Sequence, residues 1–337
     1  MSGPSRYGAE PLVFSHDVGL RPAHTAHLDA ADLQIIDSLV ADGRTNARSM
    51  TAATGLSEET VADRMRALIE RDIIGVSAIL DWRAAGYHWD LFLSIRAGSP
   101  GAQLVIEELS CHADVISVYE VLGPVDIVAH VLCRDRQAVL EFVSSTVPRI
   151  DGIGEADVML ALETAKYFHQ FARVPITAPP PPIPDPVVEL SVIDHGIIRA
   201  LMRNGRAAHR ELARELGVAD GTVRTRLRRL VSSGLVRISA QVHPSNSGMI
   251  GAQAFVGISV RYADRAEVAS ELGRIAEVLT ISLTTGRFDL FCFVVARNRA
   301  QLIERVATSI RLIAGVGSVE TWELSAVRKH VGRWARW

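Results

Sequence analysis

The chain has 337 residues, 48% of them hydrophobic and 22% charged, a composition that excludes disorder over most of its length and allows two or more domains. No apolar run reaches the roughly 20 residues that span a membrane, no signal-peptide pattern opens the chain, and Cys111, Cys133 and Cys292 are too scattered for a disulfide framework. These features point to a cytoplasmic protein with reduced core thiols, while the net charge of -2 excludes nothing until it is divided by region.

After a tail over 1–27, residues 28–86 hold three short helical patterns separated by polar or glycine-containing turns. The third places Val61, Met65, Leu68 and Ile69 at i, i+4, i+7 and i+8, so one face packs inward. Gly55-Leu56-Ser57 makes the tight turn of a helix-turn-helix, and the β-rich IIGVSAIL at 73–80 fits a wing. Residues 87–172 then form an α+β module, and a linker at 173–189 carries the proline-rich TAPPPPIPDP, which favours a stiff, extended connection.

Beyond the linker the chain repeats itself. Asp32 corresponds to Asp194, Gly43-Arg44 to Gly205-Arg206, Gly55 to Gly217, Arg64 to Arg226 and Arg66 to Arg228, all at an offset of 162. Farther on, GPVDIV at 123–128 aligns with GRFDLF at 286–291 and Lys166 with Lys329, at an offset of 163. In the second copy, residues 190–248 predict helices over 192–202, 208–216 and 220–232, with Val223, Leu227, Leu230 and Val231 as the buried stripe. Residues 249–332 predict strand, helix, strand, strand, helix, strand over 252–260, 267–276, 278–283, 289–295, 299–313 and 318–324, before a tail at 333–337. The expected fold class is α+β: two tandem copies of a winged helix-turn-helix plus a ferredoxin-like βαββαβ domain.

Charge separates the copies. Residues 190–248 hold ten arginines against four acids, a balance of +6, whereas 28–86 hold six arginines against ten acids, a balance of -4. Because phosphate neutralisation supplies most non-specific DNA affinity, the second module is expected to be the stronger DNA reader. Its candidate contacts are Thr222, Arg224, Arg226, Arg228 and Arg229, with Arg64 and Arg66 in the first copy. The apolar stripe turns the four arginines away from the core, although Arg226 and Arg64 also suit a buried ion pair. A sheet with one uncovered face seeks a partner, so the sheet modules are expected to pair, either between chains in a homodimer or higher even oligomer or within one chain.

The order of elements, with TGLSEETVADRMRALIERDIIG in one copy and LGVADGTVRTRLRRLVSSGLV in the other, resembles the leucine-responsive and asparagine-responsive (Lrp/AsnC, feast/famine) transcription regulators over about residues 28–170 and 190–332. The resemblance implies a double-stranded DNA partner and a small effector, typically an amino acid, bound near a Gly-x-x-Asp turn. That turn matches Thr285, Gly286 and Asp289, and in the first copy Gly123 and Asp126, where Leu122 and Pro124 depart from the pattern. The rival reading is an enzyme similar to the siroheme decarboxylases, which share this architecture. Neither turn supplies the Tyr, Asn or Trp of the turn those enzymes have in common, which leaves His112 and His130 as candidate acids.

No zinc-ligand spacing, P-loop or nucleophile elbow occurs, so no metal, cofactor or catalytic residue is expected. Gly152-x-Gly154 reads as a loop because it precedes a strand, and Trp334 and Trp337 read as a packed or frayed terminus.

Overall fold

In this computed structural model the described residues are 16–17, 28–99, 101–167, 189–243, 247, 250–261, 264–330 and 334–335. Residues 173–188 of the expected linker, and Trp337, lie outside them.

Equivalent residues start and stop equivalent helices. Asp29 and Ser191 cap α1 (Ala30–Ala41) and α6 (Val192–Arg203), each in a capping box with the aspartate three residues on, Asp32 or Asp194. The next helices, α2 (Ala47–Thr54) and α7 (His209–Leu216), end on Gly55 and Gly217 at φ 69° and 65°, a left-handed conformation that glycine adopts without strain. The third helices, α3 (Glu58–Glu70) and α8 (Asp220–Ser232), bury Val61 and Leu68 in one copy and Val223, Leu227 and Leu230 in the other. The buried stripe is narrower than its periodicity suggests, since Ile69 and Val231 at its edge are exposed.

The strands read as wings join the two copies. Each copy contributes one strand, β2 (Ile74–Asp81) or β7 (Val236–Val242), and the two pair antiparallel with each other. The pairing is centred where Ser77 faces its own equivalent, Ser239, which marks a pseudo-two-fold axis. The contacts around it are reciprocal: the Gly43 N–H donates to the Ile238 carbonyl and the Gly205 N–H to the Val76 carbonyl, both at 2.9 Å. Arg44 donates to the carbonyls of Gly205 and Ala207, and Arg206 to those of Gly43 and Thr45. A Cβ on Gly205 would lie 2.9 Å from the Ser77 nitrogen, and one on Gly43 3.0 Å from the Ser239 nitrogen, so the approach of the two modules requires glycine at both places.

The second modules follow. In the first copy they comprise β3 (Trp89–Ala97), α4 (Ala102–Cys111), β4 (Val115–Leu122), β5 (Ile127–Cys133), α5 (Arg136–Glu141, continued by tighter and wider turns to Arg149) and β6 (Ile153–Tyr167). In the second copy the same order appears as β8 (Ala252–Val260), α9 (Arg265–Gly273), β9 (Val278–Thr285), β10 (Leu290–Ala296), α10 (Arg299–Arg305, with a wide turn to Ile310) and β11 (Val316–His330). Hydrogen bonding arranges the strands as β4-β5-β3-β6 and β9-β10-β8-β11. The sheets then join edge to edge, β6 with β9 and β11 with β4, so that the eight strands close into a ring. Of the alternatives the sequence allows, sheet pairing therefore occurs within one chain. A two-residue strand, β1 (His16–Asp17), adds to β11 beside Ala326 and Val327, and closure of the ring pairs strand edges that would otherwise template aggregation.

Inside the ring lie Phe92, Phe255, Phe288, Phe291 and Trp322, with Phe255 and Phe291 stacked at 5.1 Å between centroids. Outside, α4 packs Val105, Ile106 and Leu109 on one sheet, while α9 and α10 pack Val268, Leu272 and Leu302 on the other. The final strands are long because their second halves serve the opposite copy. From their ends, Lys166 donates to the carbonyls of Gly273 and Ile275, and Lys329 to those of Ser110 and His112, each closing a helix end in the other copy. Burial pushes the Lys329 ammonium down to about 8. Cys133 and Cys292 are buried thiols pushed up to about 12 by desolvation, whereas Cys111 is exposed and so departs from the core position expected of it.

Candidate nucleic-acid interface and effector site

The repeated arginines divide by function within one helix. Asp194 is fully buried, and its carboxylate takes Arg226 at 3.0 Å and Arg229 at 2.9 Å besides the Ser191 hydroxyl. Burial pushes this carboxyl up, but the Ser191 N–H and hydroxyl and the Arg226 guanidinium together hold it below the usual carboxylate range. In the first copy Arg64 binds Asp29 at 2.6 Å and Asp32 at 2.9 Å. The buried ion pair foreseen for Arg226 and Arg64 forms on a fully buried carboxylate only in the second copy and is partly exposed in the first, but in both it fastens the third helix to the start of the first. Arg229, expected to face outward, shares the same anchor.

Arg224 and Arg228 point to solvent from α8. Arg224 rests against Asp220 at 2.8 Å with its side chain 59% exposed, a surface pair weak enough to be exchanged for a phosphate. Arg228 forms no ion pair among the described residues. Thr222 is half-buried at the start of the helix. On α3 the outward arginine, Arg66, is paired with Asp63 at 2.9 Å, while Glu58 and Glu59 occupy the exposed first turn.

The two Gly-x-x-Asp turns each latch a neighbouring strand. The Val260 N–H donates to the Asp289 carboxylate at 2.7 Å, and Arg265 pairs with its other oxygen. Asp126 accepts the Ala97 N–H at 2.8 Å in the same way. Gly286, at φ 123°, packs so closely on β6 of the first copy that a Cβ would lie 2.8 Å from the Val158 carbonyl oxygen. Gly123 abuts the Trp322 ring instead.

Beside Thr285 and Gly286 opens a cleft of about 320 Å³. Its walls are Leu91, Val158 and Leu160 of the first sheet and Val139, Leu140, Val143 and Ser144 on and after α5, so both copies build it. Asp289 does not line it. Sequence reasoning missed Leu140 and Ser144, which reach the turn only through the cross-copy pairing of β6 with β9.

The His130 Nε2–H donates to the Asp90 carboxylate at 2.6 Å, and the imidazole stacks on Phe92 at 4.5 Å, enclosed between the ring interior and Trp82. His112 lies elsewhere, edge-on to Phe142, with burial pushing its imidazole down. The two histidines expected as candidate acids are therefore not brought to one site. Among the described residues, no group of three or more His, Cys, Asp or Glu side chains is placed to hold a metal ion, and no helix is long and apolar enough to cross a membrane.

A model of the AsnC-type helix-turn-helix domain matches residues 28–69, a model of winged helix-turn-helix DNA-binding domains matches 190–237, and the Lrp/AsnC ligand binding domain matches both 91–171 and 253–324. The chain belongs to the Lrp/AsnC family. One relative, an uncharacterized HTH-type transcriptional regulator of Pyrococcus abyssi, is 33% identical over 143 residues, which is 42% of this chain and 90% of the relative. The regulatory protein AsnC of Escherichia coli is 32% identical over 132 residues, 38% of this chain and 86% of its own. A relative thus spans one copy of this doubled Lrp/AsnC chain. Among solved structures, the siroheme decarboxylase NirDL superposes over 89% of this chain and 92% of its own with a TM-score of 0.63 at 14% identity, a likeness of fold alone.

Proposed function

We propose that this Lrp/AsnC-family chain is a sequence-specific transcription regulator that binds double-stranded DNA chiefly through α8 and responds to a small effector, an amino acid or related metabolite. The observation that carries the reading is the outward face of α8: Arg224 and Arg228 free of the core, on a module with ten arginines against four acids. Arg226 and Arg229 support this face by holding α8 to Asp194, with Thr222 at the start of the helix; on α3, Arg64 anchors the helix to Asp29 and Asp32 and Arg66 is the outward arginine. Each second module is read as a ferredoxin-like domain, with boundaries at 87–172 and 249–332, and the winged modules at 28–86 and 190–248. Larger even oligomers would join these pseudo-dimers through outer surfaces, since the sheet edges are already paired within the chain. The chain is read as a cytoplasmic non-enzyme: His130 is tied to Asp90 and enclosed, which leaves it no approach to a substrate.

Arg224→Ala is expected to weaken duplex binding by about 1–3 kcal/mol and to lower the salt slope by about 1, whereas Arg66→Ala, on a module with ten acids against six arginines and with Glu58 and Glu59 on the exposed first turn of its helix, changes less. Fluorescence anisotropy against a salt series checks both, and equal losses for the two variants would remove the assignment to α8. Arg226→Ala is the less informative change, because it also strips a partner from buried Asp194.

The effector is assigned to the cleft between Thr285, Gly286 and α5, with Asp289 shaping the turn; Gly123 and Asp126 form the corresponding turn of the first copy. In a thermal-shift panel of the common amino acids, any that stabilises the wild type is expected to lose its effect on Thr285→Val. Asp289→Asn, which weakens the latch to Val260 and Arg265, is expected to lower the melting temperature without ligand. An Asn variant with unchanged stability but no ligand response would instead put the carboxylate on the ligand.

A further inference from the structure

We propose that the operator of this chain is asymmetric: α8 reads one half-site by its bases, and α3 meets the other half without reading it. This rests on the DNA-binding reading above and concerns what kind of duplex is bound.

The argument begins from the coupling of the two modules. The β2 and β7 pairing about Ser77 and Ser239, and the reciprocal bonds of Gly43, Arg44, Gly205 and Arg206, hold α3 and α8 as a pair related by a pseudo-two-fold axis. A pair of helix-turn-helix modules held this way meets two half-sites, and operator symmetry mirrors protein symmetry. In this chain the frame is two-fold but the reading surfaces are not.

Three outward positions differ in kind. Gly221, Arg224 and Thr225 on α8 stand where α3 has Glu59, Ala62 and Asp63. The first exchange puts a carboxylate where backbone can approach the duplex. The second removes a guanidinium that can grip guanine or phosphate. The third adds the carboxylate that occupies Arg66, whereas Thr225 leaves the equivalent Arg228 unpaired among the described residues. Each change lowers the affinity of α3 for a polyanion, and all three fall on exposed or half-exposed positions, where packing does not require them. The anchors beneath, Arg64 with Asp32 and Arg226 with Asp194, are kept in both copies. The geometry for a symmetric reader is retained and its chemistry is present on one side.

The test uses the full chain with a duplex library randomised over roughly three helical turns, about 30 bp. Selection is expected to return one constrained half-site with no inverted copy at the two-fold spacing. Recovery of an inverted repeat constrained equally in both arms would overturn the asymmetry while leaving DNA binding in place; enrichment of no sequence at all would overturn the DNA-binding reading itself and the operator with it. The gain-of-function arm is the triple variant Glu59→Gly, Ala62→Arg, Asp63→Thr. On a duplex in which the selected half-site is repeated in inverted orientation, it is expected to bind roughly 5- to 100-fold tighter than wild type, with a salt slope steeper by about 1–2. Asp63→Thr alone, which only frees Arg66, serves as the milder variant and is expected to give a smaller gain of the same sign. A properly folded triple variant, judged by an unchanged melting curve, that gains nothing on the palindrome would sink the proposal.

Discussion

Trp322→Ala is expected to cost about 3–5 kcal/mol of stability, among the largest losses available to a single substitution in this chain. The indole is 0% exposed inside the strand ring, packed at 5.5–5.6 Å between centroids against Phe288 and Phe291. Arg287 lies over both Trp322 and Phe288, at 5.5 Å from each ring, and spans to Asp157 of the first copy and Glu320 of the second. The edge of the same indole meets the Gly123 turn of the first copy. Removing it therefore opens a cavity and loosens the contact between copies at once, and rigid aromatic neighbours are poorly able to collapse into the space. Urea unfolding followed by tryptophan-independent far-UV circular dichroism measures the loss. A change below about 1 kcal/mol would mean that the two sheets do not rely on this packing.

Much of the fold was legible because the chain states it twice. The offset between copies aligned Gly55 with Gly217 and Asp32 with Asp194 before their roles were known, and the structure shows a left-handed helix end in the first pair and a capping box with an arginine anchor in the second. Pairing between copies was not legible. Gly43-Arg44 stood out as a repeated dipeptide, but its partners lie about 160 residues away, and nothing local announces them. The strand read as a wing also pairs with its equivalent, which its own sequence does not announce. The last strand was expected to stop at 324, yet β11 continues to His330, since Ala326 and Lys329 face partners on β4 and α4 and a buried lysine breaks the apolar alternation that marks a strand.

The candidate sites show the same division. An apolar stripe along α8 says which face is buried but not which of the flanking arginines will bend back. Arg226 and Arg229 do so because Asp194 sits at the buried start of α6, a position visible only in three dimensions. Thr285 and Gly286 were found through the turn they share with the family, whereas the opposing wall of the cleft comes from α5 of the other copy. The difference between a turn residue and a ligand contact was equally hidden: Asp289 is next to the cleft in sequence but spends its oxygens on Val260 and Arg265.

The two copies also carry an internal control on core packing, from which the second large effect follows. Gly257 on β8 lies under the Phe288 ring so closely that a Cβ would come within 2.2 Å of it. At the equivalent positions in the first copy stand Ser94 on β3 and Val125, so a larger residue at one position goes with a smaller one at the other. The pairs are complementary in volume, as close packing demands. Gly257→Ser alone is expected to destabilise the chain by about 3 kcal/mol or more, because Phe288 is held between Phe291, Trp322 and Arg287 and cannot swing away. Phe288→Val alone leaves a cavity and is expected to cost about 2–4 kcal/mol. The double variant reproduces the first copy's pair and is expected to be less destabilised than the sum of the singles by about 1–3 kcal/mol, the coupling of residues in direct contact. The double-mutant cycle, read by denaturant unfolding, decides the matter: simple additivity would mean that the ring moves aside to accept the new side chain, and that Gly257 is not there to make room for it.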